Sequence, residues 1–197
     1  MKILSPDRRW LTLLLPMSLA AAPARAQDIP ERHGFWAGVQ FGYGSLEWKS
    51  EQETLQRRGV FAMSFRLGLT PLRCLQIGVE LNGWLLEPFD MWDPSQGESV
   101  SQTLLIAQVY PWPARGWFVK AGVGEATYTN EAPFAFDSRG TGATIGVGFD
   151  WFVSRSFALT PVLSYSRGGL GGVMNPLVTI TNREYEAIDF GVAFTSP

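Results

Sequence analysis

Cysteine and histidine are nearly missing from this 197-residue chain, where Cys74 and His33 stand alone. A single cysteine excludes an internal disulfide and any multi-cysteine metal site. One histidine gives little material for an acyl-transfer triad, and the G-x-S-x-G elbow does not occur. His33 reads as an exposed linker residue. No stretch of 18 apolar residues follows the N-terminal segment, so no transmembrane helix is expected. A basic surplus is missing too: 16 Lys and Arg face 18 Asp and Glu, which gives no reason to expect nucleic acid. The glycines from Gly140 to Gly146 have the wrong spacing for a dinucleotide loop, and no helix pattern follows them. Gly168 to Gly172 reads as a flexible segment rather than a phosphate cradle. Asp90 and Asp93 alone are weak evidence for a cation. No catalytic, cofactor-binding or metal residue is expected.

What is present begins with an export signal. Lys2, Arg8 and Arg9 precede a mainly apolar run from Trp10 to Ala22, and Ala24 to Ala26 form an A-x-A cleavage site. That run is too short to cross a bilayer as a helix. Residues 1–26 are therefore expected to be removed, leaving 27–197 as one domain with a net charge of −5.

The rest alternates with period two, the mark of β-strands with two unlike faces. From 142 to 153 the odd positions are apolar and mostly large (Ile145, Val147, Phe149, Trp151), whereas the even ones are small or polar (Gly142, Thr144, Gly146, Gly148, Asp150). Eight such segments are expected, at 34–46, 60–70, 74–86, 100–110, 117–129, 142–153, 157–165 and 185–194. In the fourth, Leu104, Leu105 and Ile106 run together, and its faces cannot be told apart. Large apolar residues opposed by glycine and polar groups fit a barrel with its apolar face toward lipid. The connections alternate as well. Those after the second, fourth and sixth segments are short, and the other four are long and polar. This places both termini on one side, expected to be the periplasm, with the long loops outside. Aromatic girdles are expected from Trp36, Trp112, Trp117 and Trp151 at the periplasmic end, and from Trp48, Trp84 and Tyr128 at the outer end.

Three stretches carry a family resemblance: Gly34 to Gly44, Lys120 to Gly124, and the final strand Ile188 to Phe194. In them the chain resembles the small eight-stranded outer-membrane barrels, the OmpX-like proteins and the membrane domain of OmpA-like proteins. The resemblance implies an all-β, up-and-down transmembrane barrel inserted by the barrel insertion machinery. That machinery often reads a terminal aromatic residue, and here Phe194 stands three residues before the end. No peptidoglycan-binding domain follows, so an anchoring role is not implied.

Strand parity turns Arg66, Glu80, Lys120, Asp150 and Asp189 inward, with Gln40, Gln76 and Asn82. An eight-stranded barrel is wide enough only for its own side chains, so these groups are expected to pair as a polar network filling the lumen. In the outer loops, Trp48, Phe89, Trp92, Phe134 and Phe136 are candidate contacts for a surface partner or lipopolysaccharide. The expected protein is a monomeric, non-enzymatic outer-membrane barrel with a structural or surface-interaction role. A narrow transporter for small or apolar solutes is the alternative, and a lipid-modifying acyl hydrolase is a third.

Overall fold

The computed structural model describes residues 32–49, 57–86, 98–130, 136–171, 173–175, 178–180 and 183–196. The expected export signal, and the loop residues Phe89, Asp90, Trp92, Asp93 and Phe134, lie outside them. Eight long antiparallel strand runs form the wall: β1 (Gly34–Lys49), β2 (Arg58–Leu72), β3 (Leu75–Leu86), β4 (Glu98–Val109), β5 (Trp117–Asn130), β6 (Phe136–Phe149) continued by β7 (Trp151–Ser154), β8 (Phe157–Leu170) and β11 (Arg183–Ser196). Between the last two, β9 (Val173–Asn175) and β10 (Val178–Ile180) pair only with each other. Each wall strand bonds to its sequence neighbour in the wall, and β11 returns to β1, closing the sheet.

The register fixes the shape. Paired residues followed around the wall run from Gly168 through Gly142, Gly124, Leu104, Glu80, Arg66, Gly38 and Thr195 to Ala158, ten residues down the starting strand. Eight strands with that stagger tilt by roughly 40° and enclose a lumen that side chains can fill.

Several strands run further than the sequence pattern indicates. β6 starts at Phe136 rather than Gly142, and β8 continues to Leu170. Gly168 and Gly169 therefore belong to the wall, paired with Tyr185 and Glu184 of β11, and are not a flexible loop. Gly168 is there to make room, since a Cβ on it would lie 2.6 Å from the Tyr185 ring. The sixth segment is interrupted at Asp150. Pairing with β8 stops at Gly148 and Val162 and resumes at Trp151 and Leu159. Pro161 lies in the gap and has no N–H to offer the ladder. The Asp150 amide instead donates to the Gly116 carbonyl at 3.0 Å.

The fourth strand's faces are resolved. Val100, Gln102, Leu104, Ile106 and Gln108 turn inward, and Leu105 is 70% exposed on the outside.

Along the membrane-height part of the wall most large apolar side chains point outward, with inward Leu104 and Ile106 of β4 among the exceptions. Phe41, Met63, Leu81, Val123, Ile145, Leu163 and Phe190 are all exposed. The sense then inverts toward the long-loop end. On β1, outward Phe41 and Tyr43 give way to Ser45 and Glu47, and on β5 Val123 gives way to Glu125. On β8 Tyr165 gives way to Arg167, and on β11 Ile188 gives way to Glu186. The inner face changes at the same height, from Gly44 to Leu46 and Trp48, from Asn82 to Trp84 and Leu86, and from Asp189 to Ala187 and Tyr185. The long-loop end is therefore built like a water-soluble barrel, dry inside and polar outside.

Candidate functional site: a filled lumen

From the short-turn end upward, the lumen contains three layers. The lowest is organised by Arg32, just ahead of β1. Its Nη2 lies 2.9 Å from Asp150 Oδ2, and its Nη1 donates to the Pro113 carbonyl at 2.9 Å. The guanidinium carbon stands 3.9 Å from the Tyr110 ring centroid, a cation–π contact in a buried setting. Thr160 donates to the other Asp150 oxygen at 3.0 Å and meets Thr195 at 3.2 Å. Arg32 thus ties the chain's entry into β1 to β8 and to the last strand.

The middle layer is ionic and amide-rich. Lys120 Nζ reaches Glu80 Oε1 at 2.6 Å. Arg66 lies opposite Glu80 in the β2–β3 register and donates to Gln108 Oε1 at 3.0 Å. Gln108 and Tyr110 both donate to Gln76 Oε1, at 2.8 and 2.9 Å. Asp189 accepts from Gln40 Nε2 and Trp84 Nε1, each at 3.4 Å. Two positive and two negative side chains (Arg66, Lys120, Glu80, Asp189) share this layer, so its formal charge cancels. That balance is what burial of ions requires.

The top layer is apolar. Leu46, Val60, Trp84, Leu86, Val100, Ala126, Tyr128, Leu170, Tyr185 and Ala187 form one buried cluster with Trp48. Trp48 packs edge-on against Tyr128 with centroids 5.0 Å apart, and Tyr185 contacts both Trp48 and Trp84. Its polar tips are met from inside the barrel: the Tyr185 hydroxyl bonds Gln102, and Trp84 reaches Asp189.

All eight polar residues named from the sequence sit in the lumen and are buried. Lys120 and Glu80 meet directly, and Gln40 meets Asp189, whereas Asp150 belongs to the separate lower layer. Sequence reasoning missed Arg32, which precedes any strand pattern. It also missed Gln102 and Gln108, which sit on the strand whose faces were ambiguous.

Two expectations are corrected. Trp48 is no loop contact, since it lies in β1 with its ring in the apolar layer. Trp36, Trp48, Trp84 and Tyr128 do not form girdles, because each sits on the inward parity of its strand and is buried. Trp112, Trp117 and Trp151 at the short-turn end are 59%, 53% and 61% exposed and keep the girdle position. At the upper edge of the apolar belt Tyr43 and Tyr165 take that place. Phe136 opens β6. His33 is exposed just ahead of β1. Among the described residues no group of three His, Cys, Asp or Glu side chains could hold a metal ion.

No protein-family model matches the sequence, and no curated protein matches it. Solved structures do. The chain is similar to Neisserial surface protein A at a TM-score of 0.52 and 11% identity, over 83% of this chain and 96% of that one. It is also similar to Ail, the attachment invasion locus protein of Yersinia pestis (TM-score 0.46, 8% identity, 83% and 99% covered). A third is the outer membrane protein AlkL, solved in lipid bilayers (TM-score 0.45, 14% identity, 88% and 94% covered). The fold is that of the small eight-stranded outer-membrane barrels.

Proposed function

We propose that this protein is a sealed, non-enzymatic barrel of the bacterial outer membrane that acts through the surface its long-loop end presents outside the cell. In this reading residues 1–26 are removed on export, both termini lie in the periplasm, and lipopolysaccharide surrounds the outer end. The observation that carries it is the series of buried side chains that fill the lumen at successive heights. Arg32 (4% exposed), Arg66 (1%), Glu80 (0%), Lys120 (1%), Trp84 (2%) and Tyr185 (0%) succeed one another from end to end. A solute would have to displace a neutralised ionic layer and an aromatic one in turn. Separating the buried ions alone costs several kcal/mol, roughly.

Planar-bilayer recording of the folded protein tests this. No steady conductance is expected above that of the lipid, and reproducible stepwise openings would overturn the sealed-barrel reading. Uptake of apolar solutes is the second reading, favoured by the Trp48, Trp84, Tyr128 and Tyr185 cluster at the loop end. Accelerated entry of a small aromatic compound into cells expressing the protein would select it. An acyl-hydrolase role has no support from the lumen, where no histidine is found among the described residues. A changed acyl count on lipid A upon expression would revive that role.

A further inference from the structure

The lowest layer of the lumen is closed by a residue that belongs to no strand. Arg66, Glu80, Lys120 and Asp189 of the middle layer, like Trp48, Trp84, Tyr128 and Tyr185 of the top layer, are held by the wall's own ladder. Arg32 precedes β1, and its backbone takes no part in that ladder. Its side chain nevertheless crosses the mouth. The Pro113 carbonyl that it reaches at 2.9 Å lies in the connection before β5, which stands opposite β1 in the closed strand order. Its guanidinium carbon is 3.9 Å from the Tyr110 ring centroid and 5.3 Å from that of Phe152. At the root of this arm Gly34 has a φ of +79°, and a Cβ there would meet nothing within 4 Å. Backbone conformation, not crowding, is what calls for glycine at that turn.

We propose that Arg32 is a hinged latch over the short-turn mouth, pivoting at Gly34, whose release admits water to the lower layer while the two layers above stay shut. The proposal rests on the sealed-lumen reading above and gives that seal one movable part. Opening breaks no strand pairing, since Arg32 and His33 lie outside the ladder. The contacts given up are one ion pair to Asp150, one hydrogen bond to a carbonyl, and the ring contacts. Both ions regain hydration at the mouth, which offsets much of that loss. An apolar plug would have no such return. The closed position also leaves Arg32 Nε buried without a hydrogen-bond partner among the described residues, a cost that opening removes. Thr160 holds the other Asp150 oxygen at 3.0 Å, so the acid that receives the latch has its own anchor on the wall.

The test places a cysteine in the lower or the top layer of the full barrel, in a C74S background that removes the exposed native thiol. V162C reports the lower layer, where Val162 is enclosed with Tyr110 and Phe118. V100C reports the top layer, where Val100 is equally enclosed. In lipid nanodiscs, with both ends open to buffer, labelling by a small charged methanethiosulfonate is followed by intact mass. Both thiols should be protected in the barrel that keeps Arg32. R32A should speed labelling of V162C by about tenfold or more, as a local opening becomes easier, and should leave V100C protected. G34A, which strains the pivot by its φ alone, should speed V162C as well, and it carries the test should R32A fail to fold. Unchanged protection of V162C in the folded variants would overturn the latch and leave the seal standing. Rapid labelling of V100C in the barrel that keeps Arg32 would instead defeat the sealed-lumen reading on which the latch rests.

Discussion

Lys120 of β5 and Glu80 of β3 meet at 2.6 Å inside the barrel, reaching past β4, which lies between their strands. Both side chains are enclosed, so each ion depends on the other for the solvation it has lost. Lys120→Ala should therefore cost about 3–5 kcal/mol, because it strands a buried carboxylate. The double variant K120M/E80L should recover part of that loss, since it removes both members of the pair, while Arg66 loses the carboxylate opposite it. Urea unfolding in detergent, followed by intrinsic fluorescence, measures both. Equal stability of Lys120→Ala and the unaltered barrel would mean that Glu80 finds solvation elsewhere.

This pair was legible in the sequence as two inward charges, but not as a pair. Parity along a strand assigns a face, because the period of two is rigid. Partnership across the lumen depends on the stagger, and one residue of slip in any of the strand registers changes which side chains share a height. The girdle expectation failed for the opposite reason. Trp84 shares its parity with Asn82 and Trp48 with Gln40, so the faces were already fixed, yet nearness to the strand end was given more weight. The inversion of polarity toward the loops was also written in the alternation, with Glu125 following Val123 and Glu186 preceding Ile188 on the outer face. Only the closed register shows that these switches lie at one height. Arg32 had no such signal, since its burial depends on where the turn at Pro113 and the break at Asp150 come together.

The inward and outward indoles can be distinguished by quenching. In bilayers of bromine-labelled lipid, variants retaining only Trp112, Trp117 or Trp151 should lose most of their emission, because these rings are exposed at the belt. Variants retaining only Trp36 or Trp84 should be quenched weakly, as both are buried in the lumen. Equal quenching of Trp84 and Trp117 would contradict the inward parity of β3. The energetic counterpart is a Trp84→Ala loss of about 3–5 kcal/mol, the range for emptying a packed core site.

Two glycines on neighbouring strands should respond in opposite ways. Gly68 faces Gly78 across β2 and β3, and a Cβ on Gly68 would meet the Ile77 carbonyl oxygen at 2.0 Å and Gly78 Cα at 2.7 Å. Backbone cannot move aside as a side chain can, so Gly68→Ala should destabilise the barrel by about 1–3 kcal/mol. At Gly83 a Cβ would find only Met63 Cγ, at an ordinary 3.6 Å. Gly83→Ala should be neutral or should stabilise by about 0.4–1 kcal/mol through the unfolded chain. The heat-modifiable shift in gel mobility, read against temperature, reports both. A neutral Gly68→Ala would show that β2 and β3 are further apart than their register implies.

The polarity switch locates the membrane on the strands, and charge placed on either side of it tests that location. Val147 is exposed on the outer face of β6, midway up the apolar belt, opposite Val119 and Leu163. Arginine there would sit in hydrocarbon and should cost about 2–4 kcal/mol. Thr127 lies on β5 beyond Glu125, above the switch, where arginine would meet water and headgroups at a cost of about 0–1 kcal/mol. The comparison is made by reversible urea titration in vesicles, where lipid, rather than detergent, sets the depth. A large penalty at Thr127 would raise the bilayer boundary past Glu125 and Arg167 and submerge the polar outer face of the long-loop end. A small one at Val147 would mean that the exposed apolar residues do not face lipid at all.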